Sequence, residues 1–454
     1  MKLERLIAAL GPTEVVGGAP VEISELAYDA REVPPSGLFF CIRGDRADGH
    51  EFAPQAVQGG AAAVVVERPL DLRGVPQIVV PSVREAMPRA AVEFFGDPTA
   101  ELQVAGITGT NGKTTTAYLL RSILEAAGRR AGFLSNIERR VGGETRPVLL
   151  NTPESVDLQR LFREMLAAGD DACVMEATSM ASSKGRLDGT RFAVLVFTNL
   201  TQDHLDFHGT MESYFVAKWR LFAQADRAVI NVADDWGRRL AGEIPGAITF
   251  DAANDPLEAE LRLRGRFNRE NAAAAAAAAR ALGLREDAIR RGLEAVELVP
   301  GRFELVDEGQ PFTVVVDYAH TPDALETVLE AARALAHGRV LCVFGAGGDR
   351  DRDKRPLMGQ VVTELADDAL VTSDNPRSED PAAIAADVVD GLDLEVELDR
   401  RRAIERVLGS AEAGDVVVIA GKGHEQGQEI AGRKLPFDDR EVARDALRRL
   451  RTRV

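Results

Sequence analysis

A glycine-rich run from residue 106 to residue 116 contains the residue types that bind the phosphates of a nucleotide. It reads Gly-Ile-Thr-Gly-Thr-Asn-Gly-Lys-Thr-Thr-Thr. Glycines let the backbone curl until its N–H groups converge on an anion, and a following helix adds the positive end of its dipole. In such a loop Lys113 reaches the β- and γ-phosphates and Thr114 holds Mg²⁺. The predicted ATP-binding residues of the run are Gly109, Thr110, Asn111, Gly112, Lys113, Thr114 and Thr115.

The flanking residues favour a strand before this loop and a helix after it. Residues 102–107 form an apolar, strand-like run, and residues 114–127 carry apolar side chains at helical spacing. The loop departs from the general P-loop formula, because Ile107 stands where that formula has a glycine. A plain glycine turn before a helix is the alternative, and Gly-Lys-Thr-Thr in a strand–loop–helix setting disfavours it.

Acidic, histidine and lysine residues after later strand-like runs suit a magnesium site beside phosphates. Glu176 ends one such run, His204 lies in an Asp-His-Leu-Asp sequence after the next, and Lys218 follows on a helix-like stretch. Mg²⁺ prefers oxygen ligands and accepts imidazole as a minority ligand. The alternative is structural, with Asp203 as a helix cap and half-buried histidines beside it.

Four polar clusters in the last third of the chain suit the binding of an amino acid. Arg377 can grip a carboxylate with its guanidinium, whereas Asp374 and Glu425 can hold an ammonium group. One cluster approaches a dinucleotide-binding fingerprint, but Arg350 takes the place of its last glycine. Solvated charged loops are the alternative interpretation. The clusters are residues 317–322, 345–355, 374–379 and 421–425.

Three blocks of sequence carry these residues. The predicted domains are residues 1–97, 98–299 and 300–454, with a linker-like Gly-Asp-Pro-Thr at residues 96–99. Strand-like runs alternate with helical stretches in the second and third blocks, which predicts α/β domains with mostly parallel sheets. An alanine run at residues 272–279 predicts a closely packed helix. Ligands bind at the carboxyl ends of strands in open α/β sheets, so we expect the polar clusters to assemble one site.

The composition indicates a multidomain enzyme without affinity for nucleic acid or membranes. A chain of 454 residues is expected to form about three domains. Lys and Arg number 55 against 72 Asp and Glu, and the net charge of −17 disfavours nucleic acid and anionic membranes. No apolar stretch is long enough for membrane insertion. Cys41, Cys173 and Cys342 lie far apart in apolar runs, which predicts buried thiols in a reducing cytoplasm. We expect a cytoplasmic monomer.

Five motifs together resemble the Mur ligases of bacterial cell-wall synthesis, above all the members that add the third residue of the stem peptide. The resemblance implies an N-terminal α/β domain that holds a uridine nucleotide, a central P-loop ATPase domain and a Rossmann-like C-terminal domain that holds the incoming amino acid. It implies ATP, Mg²⁺ and an acyl phosphate on UDP-N-acetylmuramoyl-L-alanyl-D-glutamate, which the third amino acid attacks. The motifs lie at residues 109–115, 199–206, 316–322, 348–351 and 421–425.

The resemblance also implies roles for individual residues. The catalytic residues are Lys113, Glu176, His204 and Lys218, and the Mg²⁺ ligands are Thr114, Glu176, His204 and Lys218, with Lys218 carbamylated. Further ATP contacts are Asn268, Arg302 and Asp317. The contacts to the UDP precursor are Asp29, Arg31, Asn151, Thr152, Ser179 and Arg186. The amino-acid pocket consists of Arg350, Asp374, Asn375, Arg377, Gly421 and Glu425, and its Asp-Asn-Pro-Arg is typical of members that add meso-diaminopimelate.

The chain departs from the family pattern at several places. Met180 stands where the family has histidine, and Ala30 replaces a serine of the uridine motif. Leu-Asn-Thr at residues 150–152 replaces Asn-Thr-Thr, and the segment 250–265 is shorter than usual. The short segment predicts the loss of a surface hairpin.

Three alternatives to a diaminopimelate-adding ligase follow. One is a lysine- or ornithine-adding ligase of the same family. Another is a non-catalytic relative that binds nucleotide or precursor and regulates, which Met180 and the short segment motivate. It is disfavoured by the retention of Lys113, Glu176, His204 and Lys218, since a pure binding protein would need no second metal site. A ligase similar to folylpolyglutamate synthetase is the third, and the uridine-domain block and residues 374–377 disfavour it.

Overall fold

The computed structural model describes residues 1–18, 20–44, 47–255 and 257–451. Internal contacts group the chain into two compact units. The first unit comprises Met1–Thr108, Gly128–Val196 and Ala217–Ala228, and the second comprises Gly109–Ala127, Phe197–Val216 and Val229–Val454. The predicted domain boundaries after residues 97 and 299 stay a prediction.

The N-terminal residues build a five-stranded sheet with helices on both faces. Its strand order is β1-β5-β4-β3-β2, with β1 antiparallel and the other pairs parallel. Ser82 accepts a hydrogen bond from the backbone N–H of Glu85 and thereby caps α3, as a capping-box serine does. The elements are α1 (Leu3–Leu10), β1 (Glu14–Val16), β2 (Glu25–Ala27), β3 (Gly37–Phe40), α2 (Ala53–Gly59), β4 (Ala61–Val66), β5 (Gln77–Val79) and α3 (Val83–Phe95).

Successive side chains of β3 enter two separate apolar cores. Leu38 and Phe40 pack with residues of α1 and α3, whereas Phe39 packs with residues of α2. This alternation follows from the two-residue period of a strand. The central strands β3 and β4 consist of apolar residues and glycine, as expected for strands covered on both faces, whereas β1 at the end of the sheet contains Glu14 and is largely exposed.

The middle of the chain alternates strands and helices. Within the first unit the strands are ordered β11-β6-β10-β7-β8-β9, with β6, β10 and β7 parallel and β8 and β9 added as an antiparallel meander. Between β13 and α10 the described residues contain no strand. The elements are β6 (Gln103–Thr108), α4 (Lys113–Ala126), β7 (Ala131–Leu134), β8 (Arg139–Val141), β9 (Glu144–Arg146), α5 (Ser155–Ala167), β10 (Ala172–Glu176), α6 (Ser179–Ser183), β11 (Phe192–Phe197), α7 (Leu205–His208), α8 (Met211–Trp219), β12 (Ala228–Asn231), α9 (Asp235–Glu243), β13 (Ile248–Phe250), α10 (Arg266–Ala281) and α11 (Glu286–Ala295).

The alanine run forms a stretch of α10 that is buried on all sides, which confirms the predicted closely packed helix. Residues 272–279 are all buried, and α4 packs against both α10 and α11. Small side chains let helices approach closely. At Gly292 of α11 the backbone lies against Ile123 of α4, so that an added Cβ would overlap that residue.

The C-terminal residues form a six-stranded sheet ordered β14-β15-β19-β16-β17-β18, in which only β14 is antiparallel. Apolar cores cover both of its faces. The carboxyl ends of β15, β16, β17 and β19 therefore meet at one edge. The elements are β14 (Glu304–Leu305), β15 (Thr313–Asp317), α12 (Pro322–Arg333), β16 (Val340–Phe344), α13 (Lys354–Leu365), β17 (Asp368–Val371), α14 (Pro381–Val389), β18 (Glu395–Val396), α15 (Arg400–Ser410), β19 (Val416–Ala420), β20 (Gln428–Ile430), β21 (Arg433–Leu435) and α16 (Asp439–Arg451).

These sheets confirm the predicted class, α/β with mostly parallel sheets. The cysteines Cys41, Cys173 and Cys342 are buried free thiols, as predicted. Burial raises the pKa of the Cys41 thiol to about 12. None of the helices in the described ranges has the length and apolar character needed to cross a bilayer.

Candidate active site

The loop between β6 and α4 contains glycines at positions that a side chain could not occupy. Gly109 has a φ of 148° and Gly112 a φ of 83°. A Cβ on Gly109 would overlap Thr198 Oγ1, and a Cβ on Gly112 would overlap Asn271 Oδ1. The sequence therefore has glycine where the loop backbone touches neighbouring side chains.

Neutral side chains just after β11 fix the shape of this loop. Asn199 Oδ1 accepts the N–H of Asn111 at 2.8 Å, and Thr198 Oγ1 donates to the carbonyl of Asn111 at 2.6 Å. The N–H of Thr110 bonds to the carbonyl of Asn199 at 2.9 Å. These bonds hold both sides of the loop and stabilise its curl without any ligand.

The cationic groups predicted for ATP lie within or beside the loop. Lys113 Nζ donates to the carbonyls of Gly109 and Thr110 at 2.8 and 2.7 Å. Arg302 Nη2 donates to Thr114 Oγ1 at 3.1 Å, and its guanidinium lies 4.3 Å from the centre of the Tyr318 ring. The carbonyls hold the Lys113 ammonium at the loop, where phosphate oxygens can replace them as acceptors.

Asn268 and Asp317 support the backbone around these groups. Asn268 is buried, donates to the carbonyl of Arg264 at 2.7 Å and accepts from Asn271 at 3.2 Å. Asp317 accepts the N–H groups of Phe303 and Ala319 at 2.6 and 2.7 Å.

Burial raises the pKa of Asp317 above its ordinary value, and the nearby Arg302 guanidinium opposes that change. The Asp317 carboxylate thus fixes the residue that follows Arg302.

A buried cluster surrounds Asp203. Lys354 Nζ donates to Asp203 Oδ1 at 3.3 Å, and the Nε2 atoms of His204 and His320 lie 3.4 and 3.9 Å from Oδ2. Burial acts to raise the pKa of Asp203, but the Lys354 ammonium and the two rings outweigh it and lower that pKa well below its usual range. Asp203 does not cap α7, whose cap position is His204 with a φ of 55°. A left-handed non-glycine residue is strained, and such strain is common at functional sites.

Within the first unit, the structure brings together several residues predicted for metal and precursor. Glu176 ends β10, is buried, and its Oε1 accepts the N–H of Asn136 at 3.1 Å. Thr152 Oγ1 donates to the carbonyl of Glu176 at 3.1 Å. Arg186 Nη1 donates to the carbonyl of Thr152 at 3.4 Å. The Lys218 side chain in α8 is only 1% exposed.

The other residues predicted to bind the UDP precursor lie in two places, around α6 and after β2. Ser179 is buried at the start of α6, and Asn151 Oδ1 is buried without a hydrogen-bond partner in the described part of the chain. Asp29 and Arg31 follow β2 and pair with each other, with 2.6 Å between Arg31 Nη2 and Asp29 Oδ2. Met180, the departure from the family pattern, is half-buried in α6.

Polar side chains after β17 and β19 form a hydrogen-bonded cluster, which we call the amino-acid pocket after its predicted role. Asn375 Nδ2 donates to Glu425 Oε2 at 2.8 Å. Lys422 Nζ donates to Asn375 Oδ1 at 2.9 Å and to Glu425 Oε2 at 3.2 Å, and lies 3.6 Å from Asp374 Oδ1. Gly421 has a φ of 120°, and a Cβ there would lie 2.5 Å from Asp374 Oδ2. The structure thus brings Asp374, Asn375, Gly421 and Glu425 together, as predicted, and adds Lys422.

Arg377 lies at the rim of this pocket in a strained backbone conformation. Its φ is 53°, its Nη1 donates to the carbonyl of Gly348 at 2.6 Å, and its N–H bonds to the carbonyl of Glu429 at 2.9 Å. The predicted partner Arg350 is more exposed, with Nη1 3.3 Å from the carbonyl of Asp349.

Glu379 cross-links the loops that carry Arg350 and Arg377. Its Oε1 accepts from the N–H of Asp349 at 2.6 Å and from Arg355 Nη2 at 2.8 Å. The Arg355 side chain is 1% exposed.

Sequence reasoning missed four residues that shape the site. Asn271 gave no local signal, because the Gly112 backbone that it contacts lies far away in the chain. Glu379, Lys354 and Lys422 lie inside clusters that were already singled out, and that position was the signal available for them.

In the described ranges, His, Cys, Asp and Glu side chains form no group of three or more suited to a metal. The predicted Mg²⁺ ligands include Thr114 and a carbamylated Lys218, which are of other types. Magnesium therefore stays a prediction.

Comparison with known proteins gives consistent matches along the chain. Three family descriptions match: "Mur ligase family, catalytic domain" over residues 22–95, "Mur ligase middle domain" over 107–256, and "Mur ligase, glutamate ligase domain" over 301–423. The UDP-N-acetylmuramoyl-L-alanyl-D-glutamate–2,6-diaminopimelate ligase of Geobacillus thermodenitrificans is 43% identical, covering 99% of this chain and 100% of its own. The ligase of the same name from Solibacter usitatus is 45% identical over 95% and 94% of the two chains.

Solved structures agree with these matches. A structure of a ligase of the same name is 32% identical with a TM-score of 0.66, covering 98% of this chain and 99% of its own. The MurF ligase of Thermotoga maritima in complex with ADP is 21% identical, covers 95% and 98%, and has a TM-score of 0.65. At that identity the second likeness shows the fold alone.

Proposed function

The chain belongs to the Mur ligase family, and from that premise we propose that it is an ATP-dependent ligase that adds meso-diaminopimelate to UDP-N-acetylmuramoyl-L-alanyl-D-glutamate. Relatives with that name match it over nearly their whole length. One observation carries the proposal: the chain contains both a glycine-rich phosphate loop and the hydrogen-bonded cluster of Asp374, Asn375 and Glu425. The enzyme acts as a monomer in the cytoplasm.

The reaction needs ATP because a carboxylate is a poor acylating agent. Transfer of the γ-phosphoryl group of ATP to the free side-chain carboxylate of D-glutamate releases ADP and gives an acyl phosphate. An uncharged amino group of diaminopimelate then attacks the acyl carbon, the carbon–oxygen bond to phosphate breaks, and a proton leaves the nitrogen. The products are an amide, ADP and phosphate. Positioning and charge stabilisation supply most of the catalysis in such transfers.

The phosphate loop performs the first of these steps. Its N–H groups and the α4 N-terminus cradle the phosphates, and Lys113 exchanges the carbonyls of Gly109 and Thr110 for phosphate oxygens. Arg302, already bonded to Thr114, adds a second positive charge beside them. A Cβ at Gly112 would overlap Asn271 Oδ1, so a side chain there would distort the loop that is proposed to hold the phosphates.

Mg²⁺ fits the oxygen and imidazole groups assigned to it, and when bound it neutralises phosphate charge. The residues that would hold it are Thr114, Glu176, His204 and Lys218. Lys218 is only 1% exposed, and beside bound Mg²⁺ an anionic carbamate would avoid the repulsion that an ammonium group would cause there. Labelling with ¹³CO₂ should give a carbamate ¹³C resonance that Lys218→Ala lacks.

The UDP precursor would be held by Asp29, Arg31, Asn151, Thr152, Ser179 and Arg186. The buried and unsatisfied Asn151 Oδ1 supports this assignment, because such an atom is stabilised by a donor from a ligand.

Phosphate release with the purified precursor, ATP and one amino acid at a time tests the proposed function. We expect release that requires all three substrates, fastest with meso-diaminopimelate, and a hydroxamate when hydroxylamine replaces the amino acid. Binding of precursor without phosphate release for any amino acid would support the non-catalytic alternative. Activity on a folate instead of the precursor would support the folylpolyglutamate-type ligase.

A further inference from the structure

The amino-acid pocket contains an ammonium group of its own. The side chain of Lys422 is completely buried, and its Nζ contacts Asn375, Glu425 and Asp374 at 2.9, 3.2 and 3.6 Å. Two of them, Asp374 and Glu425, are the carboxylates predicted to hold an ammonium group of the substrate. Lys422 therefore neutralises part of their charge before any substrate binds.

The Lys422 ammonium also sets the orientation of the Asn375 amide. An ammonium group has donors only, so the Asn375 atom that faces it must be the carbonyl oxygen Oδ1. The Asn375 amide nitrogen then faces Glu425 and donates to its Oε2. Lys422 and Asn375 thus both donate to the same oxygen of Glu425, Oε2.

Lys422 offsets one of the two carboxylates in the pocket, and Arg377 at its rim is the positive charge available to offset the other. Asp374 and Glu425 are negative, whereas Lys422 and Arg377 are positive. Arg400 and Asp439 are fully buried and form an ion pair, with 2.7 Å between Nη2 and Oδ2, so their charges cancel each other. At the rim, Glu429 lies 3.7 Å from Arg377 Nε and Asp349 lies next to Arg350, and solvent screens these exposed groups.

We propose that Lys422 is a specificity-determining residue that sets the net charge of the amino-acid pocket to suit a substrate of zero net charge. The inference rests on the proposed function and extends it. Meso-diaminopimelate carries two ammonium and two carboxylate groups and is neutral overall, whereas L-lysine carries a net positive charge. Without the Lys422 charge, the pocket would have one excess negative charge, which favours lysine over diaminopimelate.

Substitutions of Lys422 that separate charge from hydrogen bonding test this inference. Lys422→Gln keeps a donor for Asn375 but removes the charge, and Lys422→Arg keeps the charge. The matched control is Lys434→Gln, because Lys434 is an exposed lysine of β21. The measured quantity is the ratio of kcat/KM for meso-diaminopimelate to that for L-lysine, with the KM for ATP as an internal reference.

We expect Lys422→Gln to lower that ratio about tenfold or more, chiefly through the KM for diaminopimelate. The ratio should be retained in Lys422→Arg and in the control, and the KM for ATP should not change. An equal loss for both amino acids would show a merely structural role and would overturn the inference.

Asp374→Asn provides a test of opposite sign that does not depend on the folding of Lys422→Gln. It makes the pocket more positive, so the ratio should stay or rise although both activities fall. A lowered ratio in Asp374→Asn would overturn the inference. If the unaltered enzyme ligates neither amino acid, the proposed function fails together with the inference. If it ligates diaminopimelate and Lys422→Gln keeps the ratio, the inference alone fails.

Discussion

The phosphate loop and the amino-acid pocket, both in the second unit, are each held in shape by side chains that lie far away in the sequence. Neutral side chains hold the phosphate loop, whereas charged side chains hold the pocket. In the phosphate loop, Thr198 and Asn199 bond to the backbone of Asn111. In the pocket, Lys422 joins Asn375 to Glu425. The phosphate loop must fit a ligand that brings a large negative charge, so its own cation rests on backbone carbonyls. The pocket must fit a zwitterion, so its own charges are balanced among themselves.

The difference separates two kinds of sensitivity. A loop defined by close backbone approach should tolerate few added atoms, whereas a pocket defined by charge balance should respond to single charges. Substitutions in the pocket should also change kcat/KM by different factors for different amino-acid substrates. The substitutions below contrast the two kinds, beginning with the largest expected effect.

Lys113→Ala should nearly abolish ligation while the fold is retained. Removing a charge contact to the transferring phosphoryl group should lower kcat by about 10²–10³-fold. Phosphate release measures the effect, circular dichroism reports the fold, and Lys434→Ala is the control at an exposed lysine. Turnover within a few-fold of the unaltered enzyme, for either amino acid, would remove this loop from the reaction.

Arg377→Ala should damage the addition of diaminopimelate selectively. A guanidinium can form two parallel hydrogen bonds to the distal carboxylate, which lysine lacks. Loss of a charge-assisted bond is worth roughly 1.5–3 kcal/mol, so discrimination should fall by about 10²-fold in kcat/KM. Arg401→Ala is the control, because Arg401 is an exposed arginine of the same region. Equal losses for lysine and diaminopimelate would assign Arg377 to the support of the loop instead.

Gly112→Ala and Gly128→Ala form a matched pair at the two ends of α4. Both glycines have positive φ, 83° and 80°, but only Gly112 lies against another side chain, that of Asn271. We expect Gly112→Ala to raise the KM for ATP by about tenfold. Gly128→Ala should lower stability by about 1 kcal/mol without changing that KM. Similar kinetics for the two variants would mean that the close approach at Gly112 has no bearing on ATP.

The buried Asp203 cluster should give a pH-dependent contribution to stability. The pKa of Asp203 is lower in the folded protein than its unfolded value of about 3.9. The stabilisation is therefore fully present above about pH 4 and is lost as the pH falls through the folded pKa. Between pH 5 and 3, the unaltered protein should lose about 1 kcal/mol more than Asp203→Asn. Parallel curves of thermal midpoint against pH for the two proteins would contradict this.

The comparison also shows which features a sequence can reveal. The strand before the phosphate loop was predicted at residues 102–107 and forms at Gln103–Thr108, because an apolar run is a local signal. The residues Gly109 to Thr115 were predictable for the same reason. The contact of Asn271 with α4 was not predictable, because Asn271 and its partner Thr116 are 155 residues apart in the chain.

Most residues of the amino-acid pocket could be predicted from the sequence, but the contact of Lys422 with its two carboxylates could not. Asp374 and Glu425 were predicted to hold a substrate ammonium, and the structure shows that Lys422 already lies between them. The sequence contains all three residues, but only the fold shows that their charges meet.

Competition between two amino acids tests the central claim most directly. The enzyme is given ATP, UDP-N-acetylmuramoyl-L-alanyl-D-glutamate and equal concentrations of meso-diaminopimelate and L-lysine, and the uridine-containing product is identified by mass spectrometry. We expect a tripeptide product that contains diaminopimelate almost exclusively, with one phosphate released for each amide formed. A product that contains mainly lysine would contradict the assignment of the pocket, and the absence of any ligated product would contradict the proposed function.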